Sequence, residues 1–428
     1  MNEWKKCIPD GTRDVIFDEC TDKSNIENKI RNIYMKRGYK EIKSPTLEFY
    51  DVFNVENQPI KQEKMYKLFD AQGRILVLRP DMTMPIARIV SSKIQQACYP
   101  IKICYTANVF RINESLYGKM GEITQSGIEI IGTKDIKADI ELLITAINSM
   151  VSIGIKNFKI EIGQNDFYKS IVEESGINDV EIKKLTRLVE NKNFAGVRNF
   201  VNKRKDSINE NSVEVLKKLP ELFGGIEVLY QAEKLTNNKK ALKALKNIRE
   251  IYEVIDQIGF SKYLSIDLGM VQHINYYTGV IFRGYVSETG GEFLRGGRYD
   301  KLLKEFGVEM PATGFSINID SIMKSIKKEK KNLNELYMNC YVYCEENNLF
   351  SEAYNLVENM EERNIKAEIG LAEDEKKAVD YCKNFNIESM LSVIDYSNIK
   401  LWNIKKETFK KLSSFDKEKV IKEIKEIY

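Results

Sequence analysis

Asn275-Tyr276-Tyr277-Thr278-Gly279, then Gly296-Gly297-Arg298-Tyr299-Asp300, then Thr313-Gly314-Phe315-Ser316-Ile317-Asn318-Ile319-Asp320-Ser321 carry the glycines, tyrosines and turns of a small-ligand pocket. Glycine lets backbone or ligand approach closely, and tyrosine offers an apolar ring with a polar tip. At the two points where such a pocket would hold a nucleotide's phosphates, the chain has Gln272 and Ser321 instead of arginine. The pattern predicts a pocket that recognises a ligand without activating it.

Working outward, apolar residues at helical spacing (Ile26, Ile30, Ile33, Tyr34) predict a helix over 24–37, capped by Ser24 and ended by Gly38. Tyr39 to Pro45 and Ile75 to Leu78 read as strands, the latter stopping at Arg79-Pro80. Pro100 to Arg111 and Glu122 to Gly132 read as a long antiparallel hairpin whose loop holds Gly118 and Gly121. Side chains alternate along a strand, so Gln125, Gly127 and Glu129 share one face, and Gly127 leaves space for a ligand to lie against the sheet. From 165 to about 260 the pattern turns helical, with Leu242, Leu245, Ile248, Tyr252 and Ile255 at helical spacing. Breaks fall at Gly176, Pro220 and Gly224-Gly225.

Strand alternation resumes at Tyr263 to Met270 and at Tyr276 to Tyr285, so the helical stretch is read as an insertion that splits one domain. Adjacent residues of a strand face opposite ways, which assigns Tyr277 to the ligand and leaves Tyr276 open between core and pocket. Gly296-Gly297 reads as a tight turn. The charged tract from Lys324 to Asn332 reads as a helix end passing into a linker. Beyond it, strands at Met338–Cys344, Lys366–Ile369 and Ser389–Ile394 alternate with helices at Leu349–Asn364 and Glu373–Asn384. A strand near Lys400 and a last helix from Asp416 complete a small α/β domain.

A chain of 428 residues exceeds what one core usually organises. The balance of 66 basic against 63 acidic side chains makes no electrostatic case for nucleic acid or membrane. No apolar stretch is long enough to span a bilayer, and Met1-Asn-Glu-Trp-Lys-Lys lacks a secretory core, so a cytoplasmic protein is expected. Seven cysteines without framework spacing read as reduced thiols; Cys340 and Cys344, on one face of a strand, read as small buried hydrophobes. One histidine, His273, leaves no material for a Ser-His-Asp triad or a multi-histidine metal site, so no metal and no cofactor are expected.

Together these segments resemble the core of a class II aminoacyl-tRNA synthetase of the histidyl branch, over roughly residues 8 to 325. Gly38 to Glu48, with Pro45, resembles motif 1, the dimer-interface strand; Val109-Phe110-Arg111 to Glu129 resembles motif 2; Thr313 to Ser321 occupies motif 3. The Tyr276-Tyr277 and Gly296-Gly297 segments match the histidine-specific motifs. The resemblance implies an α+β fold: an antiparallel sheet with flanking helices, a helical insertion at about 165–262 and, after a linker at 326–336, a small α/β domain at 337–428 resembling a reduced anticodon-binding domain. It also implies a dimer through the motif 1-like region.

The departures are Gln272, Ser321 and the motif 2 loop Lys119-Met120-Gly121. A neutral group cannot replace the fixed charge that stabilises a phosphoryl transition state, so neither adenylation nor tRNA binding is expected. This set of losses, with Leu78 to Arg88, resembles the synthetase-like regulatory subunits of ATP phosphoribosyltransferase. That resemblance implies a non-catalytic partner of a short catalytic subunit, in a hetero-octamer, serving activity and histidine feedback in the first step of histidine biosynthesis. The alternatives are a divergent histidyl-tRNA synthetase and a histidine sensor with another partner. By resemblance, free histidine would be held by Asp81, Thr83 and Gln125 at its amino end, Arg111 and Gln125 at its carboxylate, and Glu129 with Tyr277 at its imidazole. Tyr299 and Tyr276 would line the site. Arg79 and Arg88 read as structural ion pairs, and His273 is given no role.

Overall fold

The structure, a computed structural model, describes residues 3–55, 60–112, 120–271, 276–287, 290–328, 339–413 and 417–427. Two compact units divide the chain, 1–331 and 332–428. The first opens with α1 (Phe17–Lys36), β1 (Lys40–Glu41), β2 (Leu47–Phe49), β3 (Lys67–Phe69), β4 (Ile75–Leu78) and α2 (Thr83–Lys93). The hairpin β5 (Ile101–Phe110) and β6 (Glu122–Ile131) leads to α3 (Ile136–Ser152) and β7 (Phe158–Gln164). Helices α4 (Asn165–Ser175), α5 (Asp179–Glu190), α6 (Phe194–Asn202) and α7 (Glu210–Lys218) precede β8 (Phe223–Gly224), α8 (Glu227–Glu233) and α9 (Lys239–Gln257). The sheet is then completed by β9 (Leu264–Asp267), β10 (Val280–Val286), β11 (Glu292–Arg298) and β12 (Ala312–Asn318), and α10 (Ile319–Lys328) follows.

Nine strands form one sheet in the order β1-β5-β6-β12-β11-β10-β7-β9-β8. Its middle is antiparallel, with parallel pairs at β1·β5 and β7·β9. This is the α+β arrangement expected of the class II fold. One face carries Ile128, Phe315, Leu294, Phe282, Ile160 and Ile162, all buried. The helical layer lies there, with the Tyr34 ring of α1 edge-on to Phe315 at 6.3 Å. The opposite face carries Gln125, Gly127, Glu129, Gly314 and Arg295, as the register requires. Helices α4 to α9 close over their own core, built around Phe167, Leu185, Leu216, Leu245 and Ile248 and continued by Ile266 of β9.

Several expectations are corrected. Helix α1 begins at Phe17, so Ser24 sits inside it and caps nothing. The extra two turns, 17–23, bury no apolar side chain, which leaves no apolar periodicity to mark them. The strand expected at 39–45 is confined to Lys40–Glu41. The strands expected from Tyr263 and Tyr276 begin at Leu264 and Val280. Gly296 and Gly297 lie within β11, paired with Phe315 and Gly314, and form no tight turn. A Cβ on Gly296 would lie 2.4 Å from the Phe282 ring and 2.5 Å from the Gly314 carbonyl, so these glycines permit close packing inside the sheet.

The second unit contains β13 (Asn339–Cys344), α11 (Phe350–Glu361), β14 (Lys366–Ile369), α12 (Glu375–Asn384), β15 (Ser389–Val393), β16 (Asn398–Asn403), β17 (Thr408–Ser413) and α13 (Lys417–Lys425). Its sheet, β14-β13-β15-β16-β17, has a core on each face. Cys340, Val342 and Leu391 pack on one face and Tyr341, Tyr343 and Met390 on the other, as alternation requires. Cys344 packs beside the same apolar cluster as Cys340. No helix among the described residues is long and apolar enough to cross a membrane.

Candidate functional site

The open face of the nine-stranded sheet carries a cavity of about 590 Å³, within the size range of small-molecule sites. Asp81, Thr83, Arg111, Gln125, Glu129, Tyr276, Tyr277 and Tyr299, all eight of the residues proposed from sequence, line it. Glu129 is the deepest acid, 2% exposed. It fits because its cross-strand partner is Gly314, where a Cβ would lie 1.5 Å from the Glu129 Oε2. The Thr83 hydroxyl donates to Glu129 Oε1 at 3.1 Å, and the Tyr299 hydroxyl donates to Oε2. Burial nevertheless pushes the Glu129 carboxyl up to about 8, against those two bonds and with help from the Asp81 charge.

Asp81 stands just before α2, where its Oδ1 accepts the Met84 N–H at 3.2 Å. Burial raises its pKa, while that backbone bond and the Arg111 charge oppose the rise. Arg111 ends the β5 arm and donates from Nε to the Pro80 carbonyl at 2.8 Å, tying the hairpin to the start of α2. Its guanidinium is pushed down by burial and drawn back up by Asp81. Gln125 is 8% exposed on the same face as Glu129.

Tyr276 and Tyr277 precede β10, so strand alternation does not separate them, and both reach the cavity. Their rings meet at 4.9 Å and 84°, and Tyr276 stacks on Tyr299 at 5.8 Å. Gly127 does not leave an empty berth: a Cβ there would lie 2.5 Å from the Tyr105 hydroxyl and 2.4 Å from the Phe315 carbonyl. Tyr105 itself lines the cavity. Sequence reasoning missed it, although its alternation with Ile103 and Ala107 along β5 placed it on the correct face. Lys61, Lys64, Glu292 and Arg295 were also missed, and no spacing marks them as cavity residues.

Other charged residues of the motifs are structural. Arg298 turns away from the ligand face to bind Asp139 at 2.9 and 3.2 Å and the Thr133 carbonyl at 2.9 Å. Arg88 pairs with Glu48 at 2.7 Å, whereas Arg79 binds backbone carbonyls of Ser44 and Asn108 rather than an acid. Asp320 accepts the Thr124 N–H at 2.8 Å and pairs with Lys23 at 3.2 Å. The Ser321 N–H is taken by Asn318 Oδ1 at 3.0 Å. Gln272, His273, Asn275, Gly118, Lys119 and most of the 326–336 linker lie outside the described residues.

The cavity thus has a hydrogen-bonding carboxyl at its floor and carries Asp81, guanidinium and ammonium groups elsewhere, a distribution suited to a small zwitterion with a hydrogen-bonding side chain.

A histidyl-tRNA synthetase family model matches residues 11–322. The chain is 49% identical over 405 residues to an ATP phosphoribosyltransferase regulatory subunit of Clostridium novyi, covering 94% of this chain and 96% of the relative. Among solved structures it resembles an ATP phosphoribosyltransferase regulatory subunit/histidyl-tRNA synthetase of Bacillus halodurans, with 31% identity, a TM-score of 0.78, and 88% and 96% of the two chains covered. It shares the fold of a histidyl-tRNA synthetase of Nostoc sp., with a TM-score of 0.80 at 17% identity, covering 97% and 99%.

Proposed function

The chain belongs to the ATP phosphoribosyltransferase regulatory subunits, a group built on the histidyl-tRNA synthetase fold, and from that premise we propose that its cavity binds free histidine and reports it to a short catalytic subunit. One observation carries the reading: eight residues scattered from Asp81 to Tyr299 converge on one cavity, while positions 272 and 321 hold glutamine and serine. In this reading Glu129 meets the imidazole, Asp81 the ammonium, and the uncharged residues at 272 and 321 prevent adenylation. Histidine shifts the complex toward an inhibited arrangement, which requires that it bind the two arrangements unequally.

The assembly is read as a hetero-octamer in the cytoplasm, with this subunit dimerising through its motif 1-like region, Gly38 to Glu48. The end of that region enters β2, and the small sheet β2-β4-β3 that β2 joins exposes Leu47, Phe49 and Leu68 on one face, which supports an interface beside it. Residues 1–325 are read as the histidine-binding core, interrupted at about 165–262. Beyond the 326–336 linker, 337–428 is read as a reduced anticodon-binding domain that no longer meets tRNA.

The test is to mix the protein with a short-form catalytic subunit and assay phosphoribosyl transfer to ATP with and without histidine. Activity only in the mixture, lost on adding histidine, is expected; a catalytic subunit equally active alone would overturn the reading. Histidine-dependent exchange of pyrophosphate into ATP by this chain would establish the synthetase alternative instead.

A further inference from the structure

The cavity carries charge of both signs. Asp81 and Arg111 influence one another beside the buried Glu129 carboxyl, and Arg295 supplies a second guanidinium to the same space. Arg295 belongs to none of the sequence motifs. The sheet register pairs it with Ser316 on one side and Arg283 on the other, and Ser316 pairs with Gly127. Arg295, Ser316 and Gly127 therefore form one row across the ligand face. The neighbouring row holds Gly297, Gly314 and Glu129. Two strand spacings and one two-residue step separate the backbones of Arg295 and Glu129 by roughly 12 Å, with the cavity between their side chains.

What Arg295 now grips shows its chemistry. Its Nε and Nη2 donate to the two Glu292 oxygens at 2.8 and 3.0 Å, the paired geometry in which a guanidinium recognises a carboxylate. In a regular strand, residues three apart face opposite ways. Here the register skips Phe293, since Gly284 pairs with Leu294 and Tyr285 with Glu292, and the bulge returns Glu292 to the face of Arg295. Glu292 is thus an internal carboxylate held against the cavity's arginine. The pair is half-exposed, with side-chain exposures of 43% for Arg295 and 29% for Glu292, so a competing anion can reach it. Arg295 also lies near enough to Arg111 that its charge adds to burial in pushing the Arg111 guanidinium down, a repulsion that an anion between them would relieve.

We infer that Arg295, in addition to the Arg111 and Gln125 that the resemblance assigns to this end, grips the ligand's α-carboxylate, exchanging Glu292 for it when the amino acid binds. The inference rests on the histidine-binding reading above. It fixes the ligand's orientation, imidazole toward Glu129 and carboxylate toward Arg295, and it makes Glu292 a competitor that sets the affinity.

The test measures binding of histidine and of histidinol, in which a hydroxymethyl group replaces the carboxylate, to the full chain by calorimetry. Wild-type protein binds histidine more tightly than histidinol. Arg295→Ala weakens histidine by roughly tenfold or more, the worth of a charged hydrogen-bonded pair, and leaves histidinol unchanged. Glu292→Gln, which removes the competitor, tightens histidine and again leaves histidinol unchanged. Arg295→Lys, keeping charge without the fork, falls between wild type and alanine. Equal histidine affinity in Arg295→Ala and wild type, or equal loss for both compounds, overturns the role of Arg295 while leaving the histidine pocket standing. Failure of wild-type protein to bind either compound overturns the pocket reading itself, and the inference with it.

Discussion

A carboxyl group buried as deeply as that of Glu129 titrates far from its ordinary value, and the consequence has a definite sign. Unfolded, it ionises near 4.5; folded, it holds its proton to about 8. Between those values the native state keeps a proton that the unfolded chain releases, so native stability falls as pH rises through that window. Glu129→Gln cannot ionise. The Tm of wild-type protein should therefore fall relative to Glu129→Gln between pH 5 and pH 8, and parallel curves would show that Glu129 ionises normally. Glu129→Ala should abolish inhibition by histidine while assembly with the catalytic subunit persists; unchanged inhibition would refute its place in the pocket. Gly314→Ala drives a methyl into the Glu129 carboxylate and should destabilise by about 1–3 kcal/mol, read from chemical denaturation. The need for glycine at 314 is invisible in the sequence, because it comes from a strand nearly two hundred residues away.

Among the elements, those with unbroken alternation read best. The hairpin expected at 100–111 and 122–132 is β5 and β6 to within one residue at each end, and Ile75–Leu78 is β4 as expected. Period two leaves little freedom when one face must meet a core. The elements that read poorly lack that constraint: the first turns of α1 bury no apolar side chain, and β11 hides two glycines that read as a turn. The small sheet β2-β4-β3 offers its own test. Phe49, 43% exposed with the Arg74 guanidinium 4.8 Å above its ring, lies on the proposed dimer face. Phe49→Asp should convert the dimer to monomer in analytical ultracentrifugation, with the cavity's ligand binding retained; a dimer that survives would place the interface elsewhere.

For the whole molecule, each of the two units encloses apolar clusters of its own. The second unit has an apolar cluster on each face of its sheet, built entirely from residues 340–427. Residues 337–428 expressed alone should therefore fold, with a cooperative thermal transition by circular dichroism; a non-cooperative melt would show that its core needs the rest of the chain. By itself the sequence determined the fold class and which residue types could meet a ligand, because strand period and motif residues are local properties. It also placed neutral side chains at 272 and 321, a fact of composition that folding cannot change. Only the tertiary structure decided that eight residues from five separate segments share one cavity. Tyr105 fills the space above Gly127, Arg298 turns away from the ligand face, and a bulge at Phe293 aims Glu292 at Arg295. These facts depend on which strands lie side by side and in what register, and pairing across long sequence separations is set by packing of the whole sheet rather than by any local run of residues.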